Sequence, residues 1–367
     1  MSLFHGGALI EAAKRYGIAE DQWIDLSTGI SPYSWPVPEL PSSVWRDLPD
    51  SGDPLHEQAA EYYGCNASNI LAIPGSQFVI ELLPILKKAG RIAVPKWGYT
   101  EHAYRWQQAG HTLCWYENTT ELIQLAEAGT LAAAVVINPN NPTADIVDKA
   151  ELLQLHKCMA SQRGLLVVDE AFIDCHAEHS LSSEFATQSI NSGLIVLRSV
   201  GKFFGLAGLR LGFVMTSEPM LSRLSEGLSP WAVSHPARWV GQQALADTKW
   251  QQQQRQRLQS ESTFYFAMLT KLLPQFDWRR GDMFNTGFGD EAQCRTLHEL
   301  LAKHGVYTRL IEPADKVVAQ KPSEKAAVRI GLCELDRRES FLEKLTEISV
   351  KLQSKERKET KEARNTA

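Results

Sequence analysis

Much of what would place a chain outside the cell, in a membrane or on nucleic acid is missing here. The six cysteines (Cys65, Cys114, Cys158, Cys175, Cys294, Cys333) are scattered and no CxxC pair occurs. That argues against a zinc site or a disulfide framework and for a reducing, cytoplasmic setting, with no metal expected. Positive charge is not in surplus: 38 Lys+Arg against 43 Asp+Glu leave a formal net charge of -5. A general nucleic-acid or anionic-membrane surface is therefore not expected, although a local basic pocket for a phosphorylated substrate remains allowed. Apolar runs such as Leu131 to Ile137 fall far short of the ~20 residues that cross a bilayer. The opening MSLFHGGALIEAAKRYG lacks the apolar core of a signal peptide. No internal repeat is found.

What remains is an ordinary soluble composition, 44% hydrophobic and 22% charged over 367 residues, long enough for one large domain and a smaller one. Short continuous apolar runs recur at Leu71 to Ile73, Arg91 to Val94, Ala132 to Ile137, Leu165 to Val168 and Leu194 to Leu197. Helical patterns at Gln77 to Lys88 and Lys149 to Arg163 alternate with them. Strands without polar alternation are covered on both faces, so the pattern predicts an α/β fold with a parallel sheet. Four of these strands run into polar or glycine-rich junctions: Gly75-Ser76, Asn138 to Asn141, Asp169-Glu170 and Arg198 to Lys202. Ligands in open α/β sheets bind beyond the carboxyl ends of strands, which predicts one crevice where these junctions meet. From about Trp250 a long polar helix is expected to lead to a C-terminal domain. The domain limits expected are 40–265 for the large domain and 1–39 with 266–352 for the small one. The charge-dense end, 353–367, reads as an unstructured tail.

Lys202 lies among small and apolar residues just after a buried run, in Arg198-Ser-Val-Gly-Lys-Phe-Phe-Gly-Leu-Ala-Gly-Leu-Arg-Leu-Gly-Phe213. A desolvated lysine acts as a neutral nucleophile toward an aldehyde. Ser199 and Arg210 supply a hydroxyl and a planar cation suited to phosphate. Alone, a lysine in a glycine-rich loop is most often a loop residue. The whole segment, however, resembles the SxxKxxGLAGLRxG signature of fold-type I pyridoxal-phosphate enzymes of the class I/II aminotransferase type. Val136-Ile-Asn-Pro-Asn-Asn-Pro-Thr143 is similar to that family's NPNNPTG, with Ala144 in place of glycine, and Val167-Val-Asp-Glu-Ala-Phe-Ile-Asp174 to its DEAY segment. Taken singly, the first could be a turn and the second a helix cap.

The resemblance implies a large domain with a mostly parallel seven-stranded sheet between helices, a smaller α+β domain, and pyridoxal 5′-phosphate held by Lys202 through an imine. Asp169 would keep the pyridine nitrogen protonated and Asn141 would bond the ring oxygen. Phe172 stands where many relatives have tyrosine, so that contact would be missing. Ser199, Arg210 and the backbone of Ser76 and Gln77, where a turn opens a helix, would hold the cofactor phosphate. Tyr99 would stack on the ring, with Trp97 as the alternative. Arg329, Gly29 and His5 would meet the substrate, with Arg329 on its carboxylate. Arg309 or Arg46 could take its phosphate.

Within the family, His5-Gly-Gly7, Ile24 to Pro32, Phe172 and Pro230-Trp-Ala-Val-Ser234 resemble the threonine-phosphate decarboxylases of cobalamin biosynthesis most. Histidinol-phosphate aminotransferase is the rival. The resemblance further implies a homodimer.

Overall fold

The computed structural model describes residues 6–186 and 193–366, with side chains through Ser354. His5 lies outside the described residues. The chain divides into two compact units. The larger comprises Tyr33–Leu258 and Pro313–Pro322; the smaller comprises Met1–Pro32, Gln259–Glu312 and Ser323–Ala367.

The larger unit is built on a seven-stranded sheet. From edge to edge the strands are Ile70–Ile73, Gly212–Thr216, Leu194–Ser199, Leu165–Asp169, Leu131–Ile137, Arg91–Pro95 and Thr112–Tyr116. All are mutually parallel except Gly212–Thr216, which runs antiparallel to both its neighbours. Val, Ile and Leu dominate the central strands, and their side chains are buried whichever way they point: Leu194, Ile195, Val196 and Leu197 are each 0% exposed. Both faces are therefore covered, as the unalternating apolar runs predict. On one face Ile92, Val135, Ile195 and Val214 pack with Leu83, Trp106 and Leu224 from the helices Gln77–Leu86, Thr100–Gln108 and Glu218–Glu226. Each large side chain buried this way contributes roughly 1.5–3 kcal/mol.

Beneath the carboxyl ends of two central strands sits a buried ionic cluster. Arg198 Nη2 donates to Asp174 Oδ1 at 2.7 Å, and Nη1 faces Glu170 Oε2 at 3.4 Å. Tyr62 donates its hydroxyl to the same Asp174 oxygen at 2.8 Å, and the guanidinium lies 4.3 Å from the centre of the Tyr63 ring. Glu170 accepts from Leu181 N at 2.7 Å and from Ser180 Oγ at 2.5 Å.

The smaller unit carries a four-stranded antiparallel sheet in the order Arg309–Ile311, Lys325–Gly331, Phe284–Asp290, Asp277–Arg280. A short parallel pair joins Ile24–Asp25 to Val306–Tyr307. The helix Glu291–Lys303 and the closing helix Arg338–Thr366 complete an α+β unit. That last helix takes in the stretch from 353 on that the sequence reading left unstructured. The residues there, KERKETKEAR, are mostly good helix formers. Among the described residues no helix is long and apolar enough to cross a membrane.

Two expected outcomes follow from this packing. Arg198→Ala leaves two buried carboxylates uncompensated and costs about 3–5 kcal/mol, read as a lower denaturant midpoint; an unchanged midpoint would show the cluster to be dispensable. Ala144 sits at φ 61, a left-handed conformation in which a Cβ is strained. Ala144→Gly therefore raises stability by about 1 kcal/mol in the same assay.

Candidate active site

The four junctions singled out in the sequence do meet. The strands Ile70–Ile73, Leu131–Ile137, Leu165–Asp169 and Leu194–Ser199 end at one edge of the sheet. A cavity of about 150 Å³ opens there, lined among others by Ser76, Gln77, Tyr99, Asn141, Asp169, Phe172, Ser199, Lys202 and Arg210. Every residue assigned to the cofactor in the sequence thus faces one space. Trp97, the alternative to Tyr99, does not line it; its carbonyl accepts from Asn140 Nδ2 at 2.7 Å.

Local geometry explains why these residue types occupy these positions. Gly75 has φ +80, and a Cβ there would stand 2.9 Å from Arg210 Nη2. The left-handed φ favours glycine, and the bare backbone lets the guanidinium lie against the turn that opens the helix Gln77–Leu86. Arg210 itself is held at φ 53, after the short turn Ala207–Leu209 that follows the Lys202 segment. At Gly212 a Cβ would meet Arg198 O at 2.8 Å and Ser76 N at 3.0 Å, so a bare backbone is needed where the antiparallel strand returns past the turn. Amide groups at a helix start, the Ser199 hydroxyl and the Arg210 guanidinium, all lining the cavity, are donors suited to a phosphate cradle.

At the other side of the cavity Lys202 emerges from the one-turn helix Val200–Phe203, its ammonium 5.5 Å from the centre of the Phe172 ring. Asp169 is buried, and two partners fix its carboxylate. Ala171 N donates to Oδ1 at 3.1 Å, and His102 Nε2 lies 2.9 Å from Oδ2. His102 is a site residue the sequence reading missed. A signal was present: it follows Tyr99 by three residues at the start of the helix Thr100–Gln108, a spacing that puts both on one side.

The donor set fits pyridoxal 5′-phosphate: an amine for its aldehyde, a fixed buried carboxylate for its ring nitrogen, an amide from Asn141, and the cradle for its phosphate. The model for the family described as aminotransferase class I and II matches residues 48–345. The chain belongs to that family. Among curated relatives of this family member, a threonine-phosphate decarboxylase from Pseudomonas aeruginosa is 42% identical over 327 residues, covering 89% of this chain and 95% of that protein. One from Salmonella typhimurium is 31% identical, covering 74% and 79%. Among solved structures, the histidinol-phosphate aminotransferase from Sinorhizobium meliloti in complex with pyridoxal-5′-phosphate superposes with a TM-score of 0.77 at 16% identity, covering 96% of each chain. At that identity the likeness speaks for the fold alone.

The residues expected at the substrate fall in the smaller unit. Arg329 is buried, donates from Nη2 to Ser27 O at 2.7 Å, and lies 5.4 Å from the centre of the Phe284 ring. Gly29 is buried nearby in sequence. Arg309 is the cross-strand partner of Arg329 in the antiparallel sheet. Arg46, by contrast, is exposed and paired with its neighbour Asp47.

The arginines also bear on His298, whose Nδ1 lies 3.0 Å from Thr308 Oγ1. Burial, then Arg15, Arg309 and Arg295, push this imidazole down to about 4. An unfolded histidine takes up its proton near pH 6.5. Between those values the unfolded chain holds more protons, so acidification from pH 6.5 toward 4 removes stability, up to about 3 kcal/mol. His298→Asn should flatten the pH dependence of unfolding in that window, and an unaltered slope would assign it to other groups.

Proposed function

We propose that this chain is a cytoplasmic, homodimeric enzyme that uses pyridoxal 5′-phosphate to decarboxylate L-threonine O-3-phosphate, yielding (R)-1-amino-2-propanol O-2-phosphate for cobalamin biosynthesis. The observation that carries the reading is the likeness to threonine-phosphate decarboxylase along nearly the whole of both chains, joined to a cavity lined by the residues assigned to the cofactor.

When bound, pyridoxal phosphate supplies an aldehyde for an amine and a cationic ring that accepts the electron pair left at the substrate Cα. The chain's own residues do the rest. Lys202 Nζ anchors the cofactor and, once released by the substrate amine, returns a proton to Cα. Asp169, pinned by His102 and Ala171 N, keeps the ring nitrogen protonated. Asn141 bonds the ring oxygen without help from Phe172. Ser76, Gln77, Ser199 and Arg210 hold the phosphate, and Tyr99 covers the ring face.

The substrate has two anionic ends, and two arginines opposite one another on adjacent strands match it in charge and number. Arg329 takes the carboxylate and Arg309 the phosphate, with Gly29 and His5 completing the substrate's surroundings. This choice takes Arg309 because it stands opposite Arg329, whereas Arg46 is an exposed side chain.

The deciding experiment mixes purified protein, pyridoxal phosphate and threonine phosphate and measures carbon dioxide and aminopropanol phosphate. Release is expected from the wild type and not from Lys202→Ala. Amino transfer from histidinol phosphate to 2-oxoglutarate, without carbon dioxide from threonine phosphate, would overturn the reading. Arg309→Ala should raise KM for threonine phosphate about tenfold to a hundredfold, the scale of a charged hydrogen bond. A rise confined to Arg46→Ala would move the phosphate there.

A further inference from the structure

Behind the cavity wall that carries Tyr99 runs a chain of polar groups of which only the first two line the cavity. Tyr99 donates its hydroxyl to Gln77 Oε1 at 3.2 Å. The Gln77 amide nitrogen donates in turn to two carboxylates, Glu81 Oε1 and Glu101 Oε2, each at 3.0 Å. Arg105 bridges the same pair: Nη2 lies 2.8 Å from Glu81 Oε1 and Nε 2.8 Å from Glu101 Oε2. Glu81 and Glu101 come from different helices, Gln77–Leu86 and Thr100–Gln108, so the chain ties the two helix starts together. Glu101 is only 4% exposed. A carboxylate buried to that degree persists where donors surround it, as they do here.

A glutamine side chain can turn over and exchange its oxygen for its nitrogen with little change in shape. At Gln77 that freedom is gone. Turned over, Oε1 would face two carboxylates and the amide nitrogen would face a hydroxyl; as it stands, each group has a partner of the opposite kind. The two anions thus decide which end of the amide Tyr99 meets, and Arg105 holds the anions in place. We infer that Glu101 and Arg105 are positioning residues: acting through Gln77, they lock the Tyr99 hydroxyl and so fix the ring in the orientation from which it covers the cofactor. The inference rests on the pyridoxal-phosphate reading for the role of Tyr99, while the hydrogen-bonded chain itself does not.

The test is a double-mutant cycle between Glu101→Gln and Tyr99→Phe. It is read on the dissociation constant of pyridoxal phosphate and on the visible circular dichroism of the holoenzyme, which reports ring orientation. In the wild-type background Glu101→Gln should weaken cofactor binding about threefold to tenfold, the scale of one hydrogen bond, and reduce the dichroism per bound cofactor. In the Tyr99→Phe background the same substitution should change neither, because the hydroxyl through which it acts is gone. Equal changes in both backgrounds, or none in either, would overturn the inference. If Glu101→Gln fails to fold, Arg105→Gln, on a side chain that is partly exposed, enters the same cycle. A wild-type protein that binds no pyridoxal phosphate would strike down the functional reading instead. The network is then judged by ultraviolet titration of Tyr99 against Tyr99→Phe. Removing the anion in Glu101→Gln, and with it one of the two contacts that fix the Gln77 amide, should let the hydroxyl ionise at lower pH, and an unmoved titration refutes the lock.

Discussion

One buried arginine ties the two strands that matter most. Arg198 stands immediately before Ser199 at the end of one central strand, and Glu170 immediately after Asp169 at the end of its neighbour. Their charges meet below the sheet edge while Asp169 and Ser199 line the cavity above it. The backbone makes the same link, with Glu170 N donating to Leu197 O at 2.9 Å. Taking three charges out of water is costly, and that cost is offset only in one arrangement, in which Arg198 reaches Asp174 and Glu170 together. The cluster therefore selects one relative placement of the strand ends. Lys202, a few residues beyond Arg198, and Asp169, one before Glu170, inherit it.

The antiparallel strand serves the same edge differently. After a parallel strand ends at the cavity, an ordinary crossover would carry the chain away along a helix. Here the chain makes one helical turn at Lys202, turns again through Ala207–Leu209, and re-enters the sheet beside the strand it has just left. Arg210, at the second turn, is thereby brought back to the Gly75-Ser76 junction. Two glycines make this possible, one where the guanidinium lies against the turn and one where the returning backbone passes Ser76 N. Lys202 and Arg210 thus come from adjacent turns of one short segment.

Elements whose cause is local were legible before the fold was known. Strands buried on both faces show as unbroken apolar runs, and the sheet's central members were found from these alone. The strand Thr112–Tyr116 was not, because it is an edge strand with partly exposed residues and a mixed pattern. The strand Gly212–Thr216 was not found either, because it begins within the end of the glycine-rich lysine segment, which reads as loop. The excursion Pro313–Pro322 joins the larger unit through contacts distant in sequence, among them Ala314 N to Lys96 O at 2.7 Å. Nothing local announces such a contact. The candidate site divides the same way. Lys202, Asp169, Asn141 and Arg210 stand in recognisable segments, whereas His102, Glu101 and Arg105 matter only through what they touch.

Phe172 shows how one absent oxygen redistributes work within such a site. A tyrosine there would offer a second donor to the cofactor's ring oxygen beside Asn141. The phenyl ring offers none, and instead lies under the Lys202 ammonium at a distance where the electron-rich face attracts a cation. That attraction favours the charged amine before the cofactor arrives and after substrate has displaced it, the stage at which Lys202 must hold a proton for Cα on the proposed reading. With phenyl here, Asn141 is the one side chain assigned to that oxygen.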